Sequence, residues 1–577
     1  MFYQKLKILR LLNKKLMRMK KLIISLYLLA LAEISVWACT NFLVTRGASA
    51  DGSTMISYNA DSHVLYGELY FTPAAVYPDN TWLDIYEWDS GKYLGKIKQV
   101  KQTYRVIGNM NEYQVVIGET TFGGRPELKD TTAILDYGSL IYITLQRAKT
   151  AREAIKIMTD LVAEYGYYST GESFSIADPN EVWILEMIGK GSPKKDAKGK
   201  LVYDKGAVWV AILIPDGYVS AHANHARITT FPFQKVNNFN DLSQTVYHSP
   251  DVISFARKMG YFNGDDKDFS FSDVYAPLDF GAARFCESRV WAMFNKINKD
   301  MAKYEDYAMG YNLKNRMPLY IKPDRKLTVL DVIALNRDYF DGTKMDLTKD
   351  IGAGPFGCGV RWRPLTWKLD GVTYFNERAI STQQTGFTFV SQSRGWLPNP
   401  IGGILWFSVD DTYLNCYTPI YCGSTRVPES FAVGNGSMMK FSETSAFWTF
   451  NQVSNFVYTR FNEMIKDLQK VQNELENKYY NYVQAIDKAA LELYNKNPQL
   501  ASEFVTDFSV LTANETVARW KKLYQDLFVK YVDGNIKYSV PGQRDPKVVQ
   551  PGYGEEWYRR IVKETGDKFK YIGEESH

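Results

Sequence analysis

Cys39-Thr-Asn-Phe-Leu-Val-Thr-Arg-Gly-Ala-Ser-Ala-Asp-Gly-Ser-Thr-Met-Ile-Ser-Tyr-Asn-Ala-Asp61 is the stretch from which the fold is read. A β-rich run leads into a turn rich in Gly, Ser and Asp at 47–52, and a second β-rich run follows, which is the pattern of a hairpin. Closed, such a hairpin returns Asn59 and Asp61 to the side of Cys39.

Upstream, residues 1–38 hold eight Lys/Arg and one acid, Glu33, a net charge of +7 in a chain whose total is +5, so the remainder carries −2. Lys20-Lys21, the apolar run 22–32 and the small residues Val36 and Ala38 form the n-region, h-region and cleavage site of a secretory signal. Met19 opens a more ordinary signal than Met1 does, and either start gives the same mature chain. The basic excess therefore belongs to targeting and gives no reason to expect a nucleic-acid partner. The apolar run is too short to cross a bilayer, which takes about 20 residues, and no other run of that kind occurs. The expectation is an exported chain without a transmembrane segment, in the periplasm, at the cell surface or in the medium.

Cleavage after Ala38 puts Cys39 at the new N-terminus. Such a cysteine carries its own catalytic pair, because the thiol is the nucleophile and the free α-amine can take its proton. Two other fates stay open on the residues alone. Val-Trp-Ala-Cys partly resembles a lipobox, so Cys39 could carry lipid, or the cysteine could be incidental. Of the other cysteines, Cys286, Cys358, Cys416 and Cys422, the last two could pair as a disulfide or stay reduced.

The composition, 45% hydrophobic and 15% aromatic, is that of a globular protein. There is no CxxC and no HExxH, and the five histidines include His222 and His225 in a strand-like context, so no metal or other cofactor is expected. GxSxG and Walker A motifs are absent, and Gly352-Ala-Gly-Pro-Phe-Gly357 reads as a loop. Further hairpins are expected at 105–119, with Asn109-Met-Asn-Glu as the turn, and at 173–187. An amphipathic helix is expected over 147–165, and long helices run through 441–530, including 456–494. Strands followed by helices argue for an α+β fold with two packed sheets and helices outside.

At Cys39-Thr-Asn-Phe-Leu-Val-Thr-Arg the chain resembles the start of the dipeptidase A family of cysteine dipeptidases. These are relatives of the bile salt hydrolases and penicillin V acylases among the N-terminal-nucleophile hydrolases. The resemblance continues through Tyr58-Asn-Ala-Asp-Ser-His63, Gly118-Glu-Thr-Thr-Phe-Gly-Gly-Arg125, Ser220-Ala-His-Ala-Asn-His-Ala-Arg-Ile228 and Gly281-Ala-Ala-Arg-Phe-Cys-Glu-Ser-Arg-Val-Trp291. It implies an αββα sandwich and hydrolysis of dipeptides through a Cys39 thioester. Catalytic roles carry over to Cys39 as nucleophile, Asp61 beside its amine, Asn224 as oxyanion donor, and Arg289 or, as the alternative, Arg284. Thr120 matches another oxyanion-side position. Glu119 and Arg125 are candidates for binding the substrate's charged termini, with a structural salt bridge as the alternative for each.

One departure from the family pattern stands out: Tyr58 occupies the place where the acylase relatives carry an arginine, and a phenol cannot lower a thiol's pKa as a guanidinium does. The expected organisation is a signal at 1–38, a catalytic domain at 39–440 and a mainly helical region at 441–577, with a homo-oligomer left open. The rivals are an acylase on the same scaffold and a lipid-anchored surface binding protein without the chemistry.

Overall fold

The computed structural model describes residues 39–573 other than 196–197 and 363, and the signal expected over 1–38 lies outside the described residues. Strand β1 (Thr40–Val44) and strand β2 (Met55–Asp61) pair antiparallel, with Thr40 opposite Asn59 and Asn41 opposite Tyr58. The turn between them is tied by Asp51, whose carboxylate accepts from Ser49 Oγ (2.7 Å) and from Ser53 N (3.0 Å) and Oγ (2.6 Å). Such Asx contacts give the backbone a turn in place of a continued ladder.

The remaining long strands are β3 (Val116–Gly123), β4 (Gly171–Ala177), β5 (Val182–Gly189), β6 (Ala207–Leu213), β7 (Val219–His222), β8 (Thr385–Ser393), β9 (Gly403–Val409) and β10 (Thr418–Tyr421). One sheet runs Tyr320–Ile321, β7, β1, β2, β8, β9, β10. The other runs Val246–His248, β6, β5, β4, β3, then the short strands Met110–Asn111, Val106–Ile107 and Phe71–Thr72. Between the sheets the core joins Leu43, Ile56 and Phe389 of the first to Val116, Ile184 and Val210 of the second.

At Gly118 the two sheets come close together. A Cβ there would stand 2.9 Å from the Asn41 side-chain amide and 3.5 Å from Tyr58 Cβ. Turned to satisfy its neighbours, that amide accepts from Glu119 N–H (3.0 Å) and Ser175 Oγ (3.1 Å) and donates to Glu119 O (3.3 Å). One side chain on β1 thus grips the backbone of β3.

The outer face of the second sheet carries helices α1 (Tyr137–Leu145) and α2 (Ala151–Tyr165), with Leu140, Ile155 and Met158 packed on Ile117, Phe174 and Leu185. Helix α2 begins four residues later than expected because Thr150 caps it, accepting from Glu153 N. Against the first sheet lie the helix Val329–Asn336, whose Asn336 Oδ1 accepts from Ser57 Oγ (3.0 Å), and the late helices. These are α4 (Ala446–Val457), α5 (Phe461–Lys496) and α6 (Pro498–Tyr531), with α3 (Ser288–Ile297) earlier in the chain.

Two local expectations are corrected. The single helix expected over 456–494 is broken by a tight turn at Tyr458–Arg460, and the following helix extends to Lys496. The hairpin expected at 105–119 is instead two short strands, Val106–Ile107 and Met110–Asn111, followed by the start of β3, because Met110–Asn111 is itself paired and the Asn111 side chain closes a second turn by accepting from Tyr113 N and Val115 N. Of the two outcomes left open for Cys416 and Cys422, the structure has free thiols, both buried, the latter donating to Asn399 O at 2.9 Å. The 352–357 glycine motif, expected as a loop, lies in a short 3-10 segment, Ile351–Phe356, that Gly354 interrupts at φ 64°. Among the described residues no helix is long and apolar enough to cross a membrane.

Replacing Gly118 by Ala should cost about 1–3 kcal/mol through overpacking between the sheets, and should also reduce activity because Asn41, Tyr58 and Glu119 all abut that position. Thermal unfolding of Gly118→Ala against wild type, with an activity assay, measures both; an unchanged melting temperature would contradict this account of the sheet contact.

Candidate active site

Cys39 is buried immediately before β1. Its Sγ lies 3.6 Å from Tyr58 Oη and 3.7 Å from Glu119 Oε1, and Tyr58 in turn donates a short hydrogen bond to Glu119 Oε1. The hairpin register produces this grouping, since β2 brings Tyr58 and then Asp61 past the start of β1. Burial, then the charges of Glu119 and Asp61, push the thiol pKa well above its ordinary value, against hydrogen bonds from Asp61 N–H and Tyr58. The resting group is a neutral thiol that needs a base.

Asp61 is buried and accepts from Thr385 Oγ1 (2.7 Å) and from Arg378 Nη2 (3.3 Å). Burial raises its pKa to about 7, with Arg378, Thr385 and Arg289 pulling the other way. Arg378 was not foreseen from the sequence. It comes from the connection ahead of β8, more than 300 residues from Asp61, and burial lowers its own pKa to about 10 while Asp61 opposes the fall.

Arg289, one residue into α3, donates through Nη1 to Cys39 O (2.6 Å) and Thr40 Oγ1 (2.7 Å), and through Nη2 to Ala223 O (3.1 Å) and Asn224 Oδ1 (2.9 Å). Of the two arginines weighed for this position, Arg284 instead pairs with Glu377 at 2.7 Å and does not reach Cys39. Asn224 follows β7 in the left-handed region (φ 60°), a conformation that asparagine tolerates. Its Nδ2 donates one hydrogen to Thr121 O at 2.8 Å and carries a second.

Thr120 is committed elsewhere. Its hydroxyl lies 2.7 Å from His222 Nδ1, whose Nε2 is 2.6 Å from Ser175 Oγ. Burial, then Arg227, pushes the His222 pKa down to about 3, so the ring is a neutral relay between two hydroxyls. His225 is likewise buried and neutral, its pKa lowered to about 4 chiefly by burial. Among the described residues no three His, Cys, Asp or Glu side chains gather as a metal site.

Glu119 stands at the nucleophile, but Arg125 does not. The Arg125 guanidinium donates to Val274 O (2.7 Å) and lies 3.9 Å over the Tyr261 ring, holding a loop in place. A second carboxyl joins Glu119: Glu172 on β4, opposite Thr121 of β3, accepts from Thr121 Oγ1 at 3.0 Å. Both glutamates are buried, and both pKa values are raised, first by burial; for Glu172 the charge of Glu119 adds to it. The one sequence signal for Glu172 was an acid within the otherwise small and apolar run Gly171-Glu-Ser-Phe-Ser-Ile-Ala177.

Residues 38–474 match the model of peptidase family C69. The chain is 23% identical over 466 residues to a probable dipeptidase of Latilactobacillus sakei, covering 77% of this chain and 86% of that protein. It is 24% identical over 495 residues to a probable dipeptidase B of Lactococcus lactis subsp. lactis, covering 80% and 92%. With dipeptidase A of Lactobacillus helveticus the identity is 22% over 411 residues, 67% of this chain and 74% of that one. The family match spans every residue of the cluster around Cys39, and the chain belongs to peptidase family C69.

Proposed function

We propose that this chain is an exported cysteine dipeptidase with the αββα fold of the N-terminal-nucleophile hydrolases, its catalytic domain spanning 39–440 and its helical extension 441–577. The observation that carries the reading is the gathering of Asp61, Arg289 and Asn224 around a cysteine at the start of a central strand. Family membership and the dipeptidase names of the relatives support the same activity.

In this reading, removal of residues 1–38 frees the α-amine of Cys39. The amine takes the thiol proton, and the thiolate adds to the scissile carbonyl carbon while the carbonyl π pair moves to oxygen. The second Nδ2–H of Asn224 donates to that oxyanion, and Arg289 fixes Asn224 by gripping its Oδ1. The protonated amine then gives its proton to the leaving nitrogen as the C–N bond breaks, leaving a thioester. Water, deprotonated by the same amine, adds to the thioester and releases the acyl residue with the thiol restored. Asp61 holds the amine and favours its charged form. Tyr58 supplies no cation, and the guanidinium nearest Asp61 is that of Arg378.

Three measurements test this reading. The protein recovered from an exporting host should begin with unmodified Cys39 by N-terminal sequencing and intact mass; a lipidated Cys39 or a retained leader would defeat the mechanism. Cys39→Ala should lower dipeptide hydrolysis by about 10⁴-fold or more, and Asn224→Ala by about 10²- to 10³-fold, mainly in kcat.

The pH profile tests Asp61. Its pKa is raised in the folded chain, so the carboxylate needed beside the amine is lost as pH falls through about 7. The rate should therefore decline on the acid side. In Asp61→Asn the rate should drop by on the order of 10²-fold and the acid limb should move to lower pH, because the anion that raised the amine's pKa is gone. An acid limb left unmoved in Asp61→Asn would remove Asp61 from this role.

A further inference from the structure

Glu119 and Glu172 are buried beside the nucleophile without a cation. Glu119 Oε2 and Glu172 Oε1 find no donor in the protein apart from each other, the two carboxyls sharing a proton that Glu172 retains. Several other buried carboxylates meet a guanidinium, Asp61 that of Arg378, Glu287 that of Arg227 and Glu476 that of Arg337, while Asp410 and Asp411 are held by hydroxyl donors. Among the described residues no Lys, Arg or His forms an ion pair with Glu119, Glu172 or the neighbouring Asp89. Burying two carboxyls together without a cation is costly, and such a pair beside a nucleophile is a mark of function.

Toward the surface the acidic side continues to Asp89. Asp89 is exposed and accepts from Tyr137 Oη at 2.9 Å, and Tyr137 lies within the electrostatic reach of Asp89, Glu119, Cys39 and Glu172. Beside it stands a partly exposed aromatic wall, with Trp88 stacked on Tyr142 (4.4 Å between ring centres) and Tyr70 edge-on to Trp88 (4.9 Å). Through Phe387 this wall continues to Tyr58, the residue that holds Glu119. Carboxyls lined with aromatic faces suit an organic ammonium.

The position fits the chemistry of one substrate group. In a dipeptide with a free amino end, the α-nitrogen is two bonds from the carbonyl carbon under attack, about 2.5 Å away. When that carbon meets Cys39 Sγ, the ammonium must lie close to the thiol, where Glu119 Oε1 stands at 3.7 Å. An N-acyl substrate would put an amide carbonyl there instead, facing carboxyl oxygens.

We propose that Glu119 and Glu172, with Asp89 at the rim and the Tyr70–Trp88–Tyr142 wall, bind the α-ammonium of the substrate's N-terminal residue and so restrict this enzyme to peptides with a free amino end. The assignment rests on the dipeptidase reading above. It adds Glu172 and Asp89, which touch neither the thiol nor the oxyanion donor, as specificity-determining residues.

Calorimetric titration of the full mature chain carrying Cys39→Ala, which halts turnover, tests binding with L-leucyl-L-leucine and its N-acetyl derivative. The free dipeptide should bind at least about tenfold more tightly. Glu172→Gln should remove most of that preference, and Asp89→Asn, on the exposed rim where folding is not at stake, should reduce it. Equal affinity for the two probes, no binding of the free dipeptide at millimolar concentration, or a preference untouched by either substitution would overturn the assignment. Equal affinity would give the carboxyl pair to the amine of Cys39 itself. Hydrolysis of the same probes by wild type separates the two readings. A chain that binds only the free amine yet cleaves neither keeps the ammonium site and loses the dipeptidase activity. One that cleaves both equally keeps a peptidase and loses the site.

Discussion

The Arg289 guanidinium is the interaction on which the site depends. A cysteine at the head of a strand has no ladder partner of its own on one side and would fray as chain ends do. Arg289 prevents this by binding the Cys39 carbonyl and the Thr40 hydroxyl with one nitrogen and the Ala223 carbonyl and Asn224 amide oxygen with the other. Nucleophile and oxyanion donor are thereby referred to one rigid, planar group. Burying an arginine is costly, and the cost is offset because its Nε–H also finds an acceptor, Phe285 O at 2.9 Å. A lysine could not hold both ends of this bridge.

Around the thiol the charges divide into two sides. Arg289 and Arg378 flank Asp61 on one, while Glu119 and Glu172 stand without cations on the other. With burial and two acids against ionisation, the sulfur stays protonated until a base acts, so reactivity is tied to the arrival of the amine and the substrate. Tyr58 belongs to the acidic side. It takes the Glu119 oxygen nearest the sulfur as its acceptor, which limits how strongly that carboxylate opposes the thiolate.

Much of this was legible in the sequence where local rules suffice. The Gly-Ala-Ser-Ala-Asp-Gly turn between two β-rich runs defined the first hairpin, and its register alone brings Asp61 to Cys39. Asn224 and Arg289 came through the family motifs, and the structure sets both against β1. Arg378 escaped because nothing local marks it, and Glu172 because a lone acid in a β-rich run does not say what it faces: each acts through a partner brought close only by the folded sheets. Arg125 and Thr120 show the reverse case. They lie in the right motif, yet the Arg125 Nε–H is given to Val274 O and the Thr120 hydroxyl to His222, contacts that spacing cannot reveal. The hairpin at 105–119 failed because a polar Asn-Met-Asn-Glu run, read as a turn, places Met110 and Asn111 in a strand of their own.

The late helices bear on the site through the sheet they cover. Strand β10 is an edge, and an edge leaves backbone donors to be satisfied. Helix α6 meets that need with Ser509 Oγ, which accepts from Tyr421 N at 3.1 Å, and α5 supplies Glu476 Oε1 to Tyr417 N at 2.9 Å. Two buried ion pairs, Arg337 with Glu476 and Arg394 with Asp487, fix the register of α5 on this face. Buried pairs of this kind add little net stability, but breaking one strands a charge. Their effect is to hold β10 against β9, β9 against β8, and so Thr385 of β8 on the Asp61 carboxylate. The acid that would sit beside the catalytic amine is thus positioned from its far side by helices that never approach the sulfur.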